Sequence, residues 1–412
     1  MHASTLRIAW RNLGRNRKRA LLAMLAIAVG QLAFLLTAAL MNGYGEKFFE
    51  SVTGPMVGHI QIHAPEWREN RSIDLTIGDL ETTLEALRSD PGIDRASPRV
   101  FCPVLAALSE EGLTGIVVGV EPETEFHEMG LLSGQDPAGH LGDHRVLVGY
   151  GFARKHDIEP GMELALVGQD IDGSIANDLY TVSGIVFTPV DVVNNLGLVM
   201  SLEDAQEFLR LEDAAHEIVI HATQPDDLIS TRERLAVLPA LRGMEVLVWQ
   251  DVVPQLVGMI GMMDWYALII LIIVFIAAAA GIANTMLMST FERTHEFGML
   301  LSLGCGPSRL SRMILVEAVF LGLIGVAAGT VVGLGFVLAT SGTGIDYAAL
   351  GGSDQSYDVA FGGLHLSSHV YPRIRALDIL AGVSAVLLTS FVSVIWPVLH
   401  ISRLEPMEAL RQ

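Results

Sequence analysis

Four runs of apolar residues, at 20–40, 265–288, 313–339 and 379–399, constrain this chain more than any other feature. Each is about 20 residues or longer, enough for a helix to cross roughly 30 Å of hydrocarbon. Lipid offers no water to unpaired backbone groups, so helix is the conformation such runs adopt. Over 412 residues the chain is 51% hydrophobic and 17% charged, too long for one compact domain and too apolar for an ordinary soluble protein.

Charge sets the expected orientation. Residues 1–19 carry Arg7, Arg11, Arg15, Arg17, Lys18 and Arg19 and no acid, which the positive-inside rule assigns to the cytoplasm. Residues 41–263 hold 36 acids against 13 Lys and Arg, so this segment is expected outside. The stretch 289–312, with Arg293, Arg309 and Arg312, returns to the inside, and four spans leave both termini cytoplasmic. The first run is about 21 residues, longer than a signal-peptide core, and Ala38-Ala39-Leu40-Met41 is a poor cleavage site, so it is expected to be retained. Of two cysteines, Cys102 lies on the outer segment and Cys305 on the inner one, so no intrachain disulfide is expected.

The order of the chain suggests its domains: a basic amphipathic helix (1–19) with Leu6, Ile8, Trp10 and Leu13 toward lipid, a first span (20–40), an extracytoplasmic α+β domain (41–255), a stalk running into the second span (256–288), a cytoplasmic connection (289–312), a third span (313–340), an outer loop (341–376), a fourth span (377–399) and a cytoplasmic tail (400–412). In the outer segment, short β-rich runs at 60–62, 115–120, 145–148, 180–186 and 217–221 alternate with helical spacing at Ile77, Leu80, Leu84 and Leu87. Ser201 with Asp204 marks a helix start, and Asp90-Pro91-Gly92 and Glu159-Pro160-Gly161 mark turns.

The most specific stretch is Glu292-Arg293-Thr294-His295-Glu296-Phe297-Gly298, followed by Leu303-Gly304 and Ser308. At helical spacing Phe297, Leu300, Leu301 and Leu303 cannot all face water, and periodicity leaves open whether they meet another protein or lipid headgroups. The pattern Glu-Arg-x-x-Glu-x-Gly with a following Leu-Gly resembles the coupling-helix region of MacB/FtsX-type ABC transporter permeases. Residues 13–30, 317–333 and 403–411 resemble that family's basic lead-in with first span, third span and tail. In the outer segment, 58–62, 118–122, 148–155 with Pro160-Gly161, and 200–206 are most similar to the lipoprotein-releasing LolC/LolE permeases, although the outer loop 341–376 is longer than theirs.

The resemblance implies four transmembrane helices with a large periplasmic α+β domain between helices 1 and 2, in the bacterial inner membrane. It implies a permease subunit that moves lipoprotein or a similar lipidated amphiphile toward the periplasm, or alternatively an efflux or mechanotransmission permease for macrolide or peptide export or cell-wall hydrolase control. The implied partners are two copies of an ABC ATPase, a second permease copy or paralogue, a periplasmic carrier or adaptor, and membrane lipid, with no nucleic acid. ATPase coupling would fall to Glu292, Arg293, Glu296, Phe297, Gly298, Leu300, Leu303, Gly304 and Ser308. The chain has no Gly-x-x-x-x-Gly-Lys-Ser/Thr loop, so no cofactor is expected here and Mg-ATP belongs to the partner ATPase.

Glu317 stands about one turn inside the third run, as a structural anchor reached by Arg309 or Arg312 or as a gating group. Gly325, Gly329 and Gly333 allow close helix approach. Met41, Leu256, Met259, Ile260 and Met263, with Met262 and Met56 nearby, are candidates either for an adaptable cargo surface or for packing against the first span. His59 and His63, four apart in a strand, are separated by roughly 13 Å and share no ion. His365 and His369 have helical zinc spacing but lack the Glu of His-Glu-x-x-His, so no metal is expected. The absence of that motif, of Gly-x-Ser-x-Gly and of a carboxylate pair in the spans argues against a hydrolase. A purely structural receptor would leave the coupling-like stretch unexplained.

Overall fold

The computed structural model describes residues 17–108, 111–127, 129–135, 141–188, 190–346, 359–361, 364–366 and 369–402. The basic lead-in before Arg17 and the tail after Ser402 lie outside the described residues. The chain divides into two units. One comprises 1–45, 260–350 and 369–412, the other 46–259 and 351–368.

The first unit is built on four helices long and apolar enough to cross a membrane: α1 (Arg17–Thr53), α7 (Pro254–Glu292), α9 (Pro307–Thr340) and α10 (Ala376–Ser402). The runs expected at 20–40, 265–288, 313–339 and 379–399 all lie inside these helices. At 1.5 Å per residue, α7 with its 39 residues is about 58 Å long, nearly twice the hydrocarbon thickness, so the helix is longer than the apolar run at 265–288.

Glycine positions set how closely these helices pack. A methyl group added to Gly325 would meet Ile27 at 2.8 Å, one on Gly329 the Ala28 carbonyl at 2.4 Å, and one on Gly333 Leu35 at 3.2 Å, so α9 lies directly on α1. Gly322 meets Ser390 and Val386 of α10 in the same way. Gln31, 1% exposed, donates to Thr330 Oγ1 at 3.3 Å, and a methyl at Gly382 would lie 2.4 Å from its amide oxygen. A buried amide held between two spans joins them because hydrocarbon supplies no alternative partner. Ser393 adds a bond to the Ala279 carbonyl of α7 at 3.0 Å. The buried core of the unit runs from Ala20, Ala23 and Ile27 through Ile282 and Met286 to Ile314, Leu321, Val386 and Val394.

The second unit is α+β. Its strands are β1 (Ile60–His63), β2 (Ile93–Leu108), β3 (Glu111–Val120), β4 (Arg145–Gly149), β5 (Glu163–Gln169), β6 (Ile175–Val186), β7 (Gly197–Ser201), β8 (Glu217–Ala222) and β9 (Glu245–Val248). They pair in the order β3-β7-β4-β6-β5-β2-β8-β1-β9, and β3 pairs with β2 as well. The pairings β2-β3-β7-β4-β6-β5 therefore close into a six-stranded ring. Strand β2 makes this possible because it is 16 residues long: its first half pairs with β8 and its second half with β5. Period-2 alternation turns Val100, Cys102, Val104 and Ala106 inward, while Pro103 and Leu105 face out.

Among the described residues of this unit, five helices are longer than one turn: α2 (Leu80–Arg88), α3 (Tyr150–Lys155), α4 (Asp191–Leu196), α5 (Leu202–Leu209) and α6 (Leu228–Ala236). The spacing read at Leu80, Leu84 and Leu87 is the buried face of α2. Ser201 caps α5 as its spacing with Asp204 implies, its hydroxyl accepting from the Asp204 N–H at 3.1 Å and donating to the Asp204 carboxylate at 2.7 Å. In the outer loop, β10 (Ile345–Asp346) pairs with β13 (His369–Val370), and β11 (Val359–Phe361) with β12 (Leu364–Leu366). His365 and His369 thus stand on strands, and the helical zinc spacing does not apply to them.

Two clusters of buried polar groups stand out in this unit, one ionic and one of imidazoles. The Arg99 guanidinium, 3% exposed, donates to both carboxylate oxygens of Glu125 at 2.6 and 3.0 Å and lies 3.8 Å from Glu217. Burial works against the Arg99 charge, but the two carboxylates outweigh it and raise its pKa. Nearby, His59, His63, His216 and His221 are all buried on or beside β1 and β8. His59 Nδ1 accepts the Ala222 N–H and His216 Nδ1 accepts the Phe101 N–H, both at 2.9 Å, which fixes these rings as neutral imidazoles. Burial lowers the pKa of all four, that of His59 to about 4 with help from His221.

Candidate functional site

The segment between α7 and α9 is a nine-residue helix, α8 (Thr294–Ser302), set off from α7 by a break at Arg293. The break is local: Arg293 has φ −109° and ψ 7°, and its N–H bonds to the Thr290 carbonyl at 3.2 Å while its own carbonyl accepts from Phe297 at 2.9 Å. At the other end Leu303 and Gly304 bond back to Met299 and Leu301, and Cys305 to Leu300. Gly304 takes φ +86°, a left-handed conformation that closes the helix and that a side chain resists.

Burial sorts the residues of α8 into two faces. Phe297 is 1% exposed and Gly298 is buried, and Phe297 packs into the core of the four long helices with Met286, Leu310 and Ile314. Met299, Leu300 and Leu303 are 47%, 39% and 79% exposed, so the unit presents an apolar ridge that no described residue covers. Glu292, His295, Gly304 and Ser308 are exposed beside it. Sequence reasoning grouped Phe297 with Leu300 and Leu303 as one set, whereas the fold gives Phe297 to the core and the two leucines to the surface.

Charges tie this segment to three of the long helices. Arg19 at the start of α1 pairs with Glu292 at the end of α7. Arg293 Nη1 lies 3.3 Å from Glu317 Oε2 on α9, its Nε lies 3.4 Å from Glu296 Oε2, and its guanidinium carbon sits 5.1 Å from the centre of the Phe297 ring. Arg293 and Glu317 are 11% and 7% exposed. The expected partners of Glu317, Arg309 and Arg312, are exposed, and Arg312 Nε donates instead to the Ser308 carbonyl at 3.4 Å. The reason is helical geometry: Arg312 and Glu317, five apart, fall on different faces of α9, while Arg293 enters from α8. Arg19 and Met299 were not singled out from sequence. Only a three-dimensional adjacency of α1 with the end of α7, and the phase of α8, reveal them.

The second candidate set lies along α7 and α1. Leu256 is 2% exposed and so is a packing residue rather than part of an open surface. Met41, Met259, Ile260 and Met263 are half-buried, and a methyl placed on Gly45 of α1 would lie 3.7 Å from the Met263 sulfur. Packing against the first helix therefore accounts for Met263. The apolar residues that α7 leaves open nearby are Val257, Met262, Trp265 and Tyr266. Among the described residues no group of three or more His, Cys, Asp or Glu is placed to hold a metal ion.

Comparison with known proteins matches two family models along the chain. Residues 20–238 match the MacB-like periplasmic core domain, and residues 268–406 match the FtsX-like permease C-terminal domain. The chain is 24% identical over 407 residues to the lipoprotein-releasing system transmembrane protein LolC of Neisseria meningitidis serogroup B, covering 93% of this chain and 92% of that protein. It is 22% identical to the macrolide export ATP-binding/permease protein MacB of Hahella chejuensis, covering 99% of this chain but 60% of the relative. The crystal structure of the periplasmic region of MacB from Actinobacillus actinomycetemcomitans aligns with 52% of this chain and 98% of its own, at 14% identity and a TM-score of 0.34. With both family models matched in order, and the first covering more than half of its length, the chain belongs to the MacB/FtsX-type ABC transporter permeases, as a multi-pass inner-membrane protein with four transmembrane helices and a large α+β domain between the first and second.

Proposed function

We propose that this permease works with a separate ABC ATPase to move lipoprotein or a similarly lipidated amphiphile out of the inner membrane toward the periplasm. Its N- and C-termini are cytoplasmic, two ATPase copies engage a pair of permeases, and α8 is the element each ATPase grips. The observation that carries the docking assignment is the ridge of Met299, Leu300 and Leu303, held open on a helix whose opposite face is anchored by Phe297. An apolar ridge on a rigidly seated helix is suited to a groove in a partner protein. The basic residues around 289–312 favour the cytoplasmic side, where ATP is available.

The cargo assignment rests on the LolC relative, which this chain matches almost end to end, whereas it spans only 60% and 51% of two of the MacB proteins it resembles. Those relatives favour macrolide export as the second reading. Helix α7 buries 11% of its apolar stretch within the chain, against 33–39% for the other three long helices, which leaves a long face for lipid, a second permease or an acyl chain.

Replacing Leu300 and Leu303 together with Glu tests the docking. Loss of two central apolar contacts is expected to weaken ATPase association by about 2–4 kcal/mol, read as loss of co-purification of the ATPase with the full-length permease in detergent. Full retention of the ATPase by the double variant would assign α8 to the membrane surface instead. Mass spectrometry of what the wild-type complex retains separates the cargo readings: lipid-modified protein supports the first, and its consistent absence alongside bound macrolide supports the second.

A further inference from the structure

The covalent route from α8 into the third span runs through a short glycine loop. It passes through residues 303–306, where Gly304 takes φ +86° and a side chain added there would meet open space, and a second glycine, Gly306, precedes Pro307. The N–H groups of Leu303, Gly304 and Cys305 bond back into α8, so this connection is fixed to α8 and turns toward α9 at Gly306. A second connection lies at the other end of α8. Arg293 and Glu317 are both largely withdrawn from solvent and 3.3 Å apart, and Glu317 is ten residues into α9, about 15 Å of helix rise beyond Pro307. Phe297 lies against the same guanidinium and fills the core beside Ile314.

We infer that the Arg293–Glu317 ion pair is a latch through which movement of α8 enters the third span, bypassing the glycine loop. This rests on the reading that the ATPase docks on α8. A carboxylate at that depth is strongly disfavoured without a cation, so the pair resists separation in any state that keeps Glu317 out of water. The planar guanidinium fork of Arg293 serves Glu296 and Glu317 together. The second span receives the same displacement through the backbone at Glu292 and Arg293. A push on the exposed ridge is thereby divided between two spans, by peptide bonds into α7 and by an ion pair into α9. Arg293 and Glu317 are positioning residues, and neither belongs to the exposed docking ridge.

The test uses the full-length permease with its co-purified ATPase in nanodiscs, in a background with Cys102→Ala and Cys305→Ser. A cysteine is introduced at Ser341, which is exposed and caps the far end of α9. The labelling rate of that cysteine by a hydrophilic thiol reagent is compared without nucleotide and with ATP plus vanadate. The variants are Glu317→Gln, Arg293→Gln and the exchange Arg293→Glu with Glu317→Arg. In the single variants ATPase association stays within about twofold of the parent, while the nucleotide-dependent change in labelling falls about fivefold, the usual scale of a lost coupling. The exchange variant restores at least half of the response. Single variants that respond like the parent overturn the latch, as does a folded exchange variant that responds no better than the singles. Loss of ATPase association in all three overturns it too, because the pair then serves docking rather than transmission. A parent complex that retains no ATPase sinks the docking reading itself, which the co-purification arm records separately from the labelling arm.

Discussion

His59 illustrates how a single residue is set by its surroundings. Its ring is 4% exposed, stacks 6.0 Å from Phe49 and sits 5.7 Å from His221, and its Nδ1 is already used as an acceptor. Protonation would place a charge in an apolar site beside a second imidazole, so its pKa falls from 6.5 to about 4. His63, His216 and His221 shift the same way. The unfolded chain binds these protons below pH 6.5 while the folded domain refuses them, so stability is flat above that pH and declines as pH falls toward 4. For His59 alone the full loss is about 3 kcal/mol. Trp67 lies 5.9 and 6.0 Å from the rings of His63 and His216 and reports the transition. Tryptophan fluorescence of the full chain during urea unfolding should show a midpoint that is constant between pH 7 and 8 and drops steadily below 6.5. Replacing His59 with Phe should flatten part of that slope, and an unchanged profile would mean that the ring is hydrated in solution.

Among the helices, α9 depends on bare backbone and α7 does not. Glycines at 322, 325 and 329 place α9 against α1 and α10 so closely that an added Cβ would come within 3.0 Å of a neighbour, and Gly333 leaves only slightly more room, 3.2 Å from Leu35. Gly329→Leu would drive its Cβ into the Ala28 carbonyl, which is backbone and cannot rotate away. The expected destabilisation is about 1–3 kcal/mol, or more if α1 and α9 cannot separate. Gly335→Leu on the same helix is the control, since a Cβ there meets nothing within 4 Å. Thermal unfolding of the two variants in detergent should show a clear drop for the first and a change of at most a degree or two for the second. Equal drops would trace the effect to helix propensity and hydrophobicity rather than to packing.

For the whole molecule, the charge distribution makes the strongest claim: 36 acids against 13 bases over 41–263, and a basic cluster with no acid over 1–19. Glu163, exposed at the start of β5, and Thr294, at the start of α8, should therefore lie on opposite sides of the membrane. A cysteine at 163 should react with a membrane-impermeant thiol reagent in intact spheroplasts, and one at 294 should react only after the membrane is opened. Equal reaction at both positions in intact spheroplasts would invert or break the four-span topology. Of the native cysteines, Cys102 is buried with its thiol pushed up to about 11, which keeps it unreactive, and the partly exposed Cys305 is replaced by Ser in both variants.

By itself the sequence determined the features that are local or additive. Apolar runs of span length, the charge of each segment, the β-rich runs, the phase of Leu80, Leu84 and Leu87, and the Ser201 cap all follow from residue type and spacing within one stretch, because hydrophobic burial, backbone satisfaction and capping act over a few residues. Tertiary structure alone decided what depends on distant residues meeting. It closed six strands into a ring through the two halves of β2, and it buried Leu256 while opening Met262. It also turned Phe297 inward and Leu300 outward on one short helix, and gave Glu317 to Arg293, 24 positions earlier, rather than to Arg312 on its own helix. Periodicity states that a helix has two faces, but which neighbour covers each face, and which charge reaches a buried carboxylate, is fixed only when the helices pack.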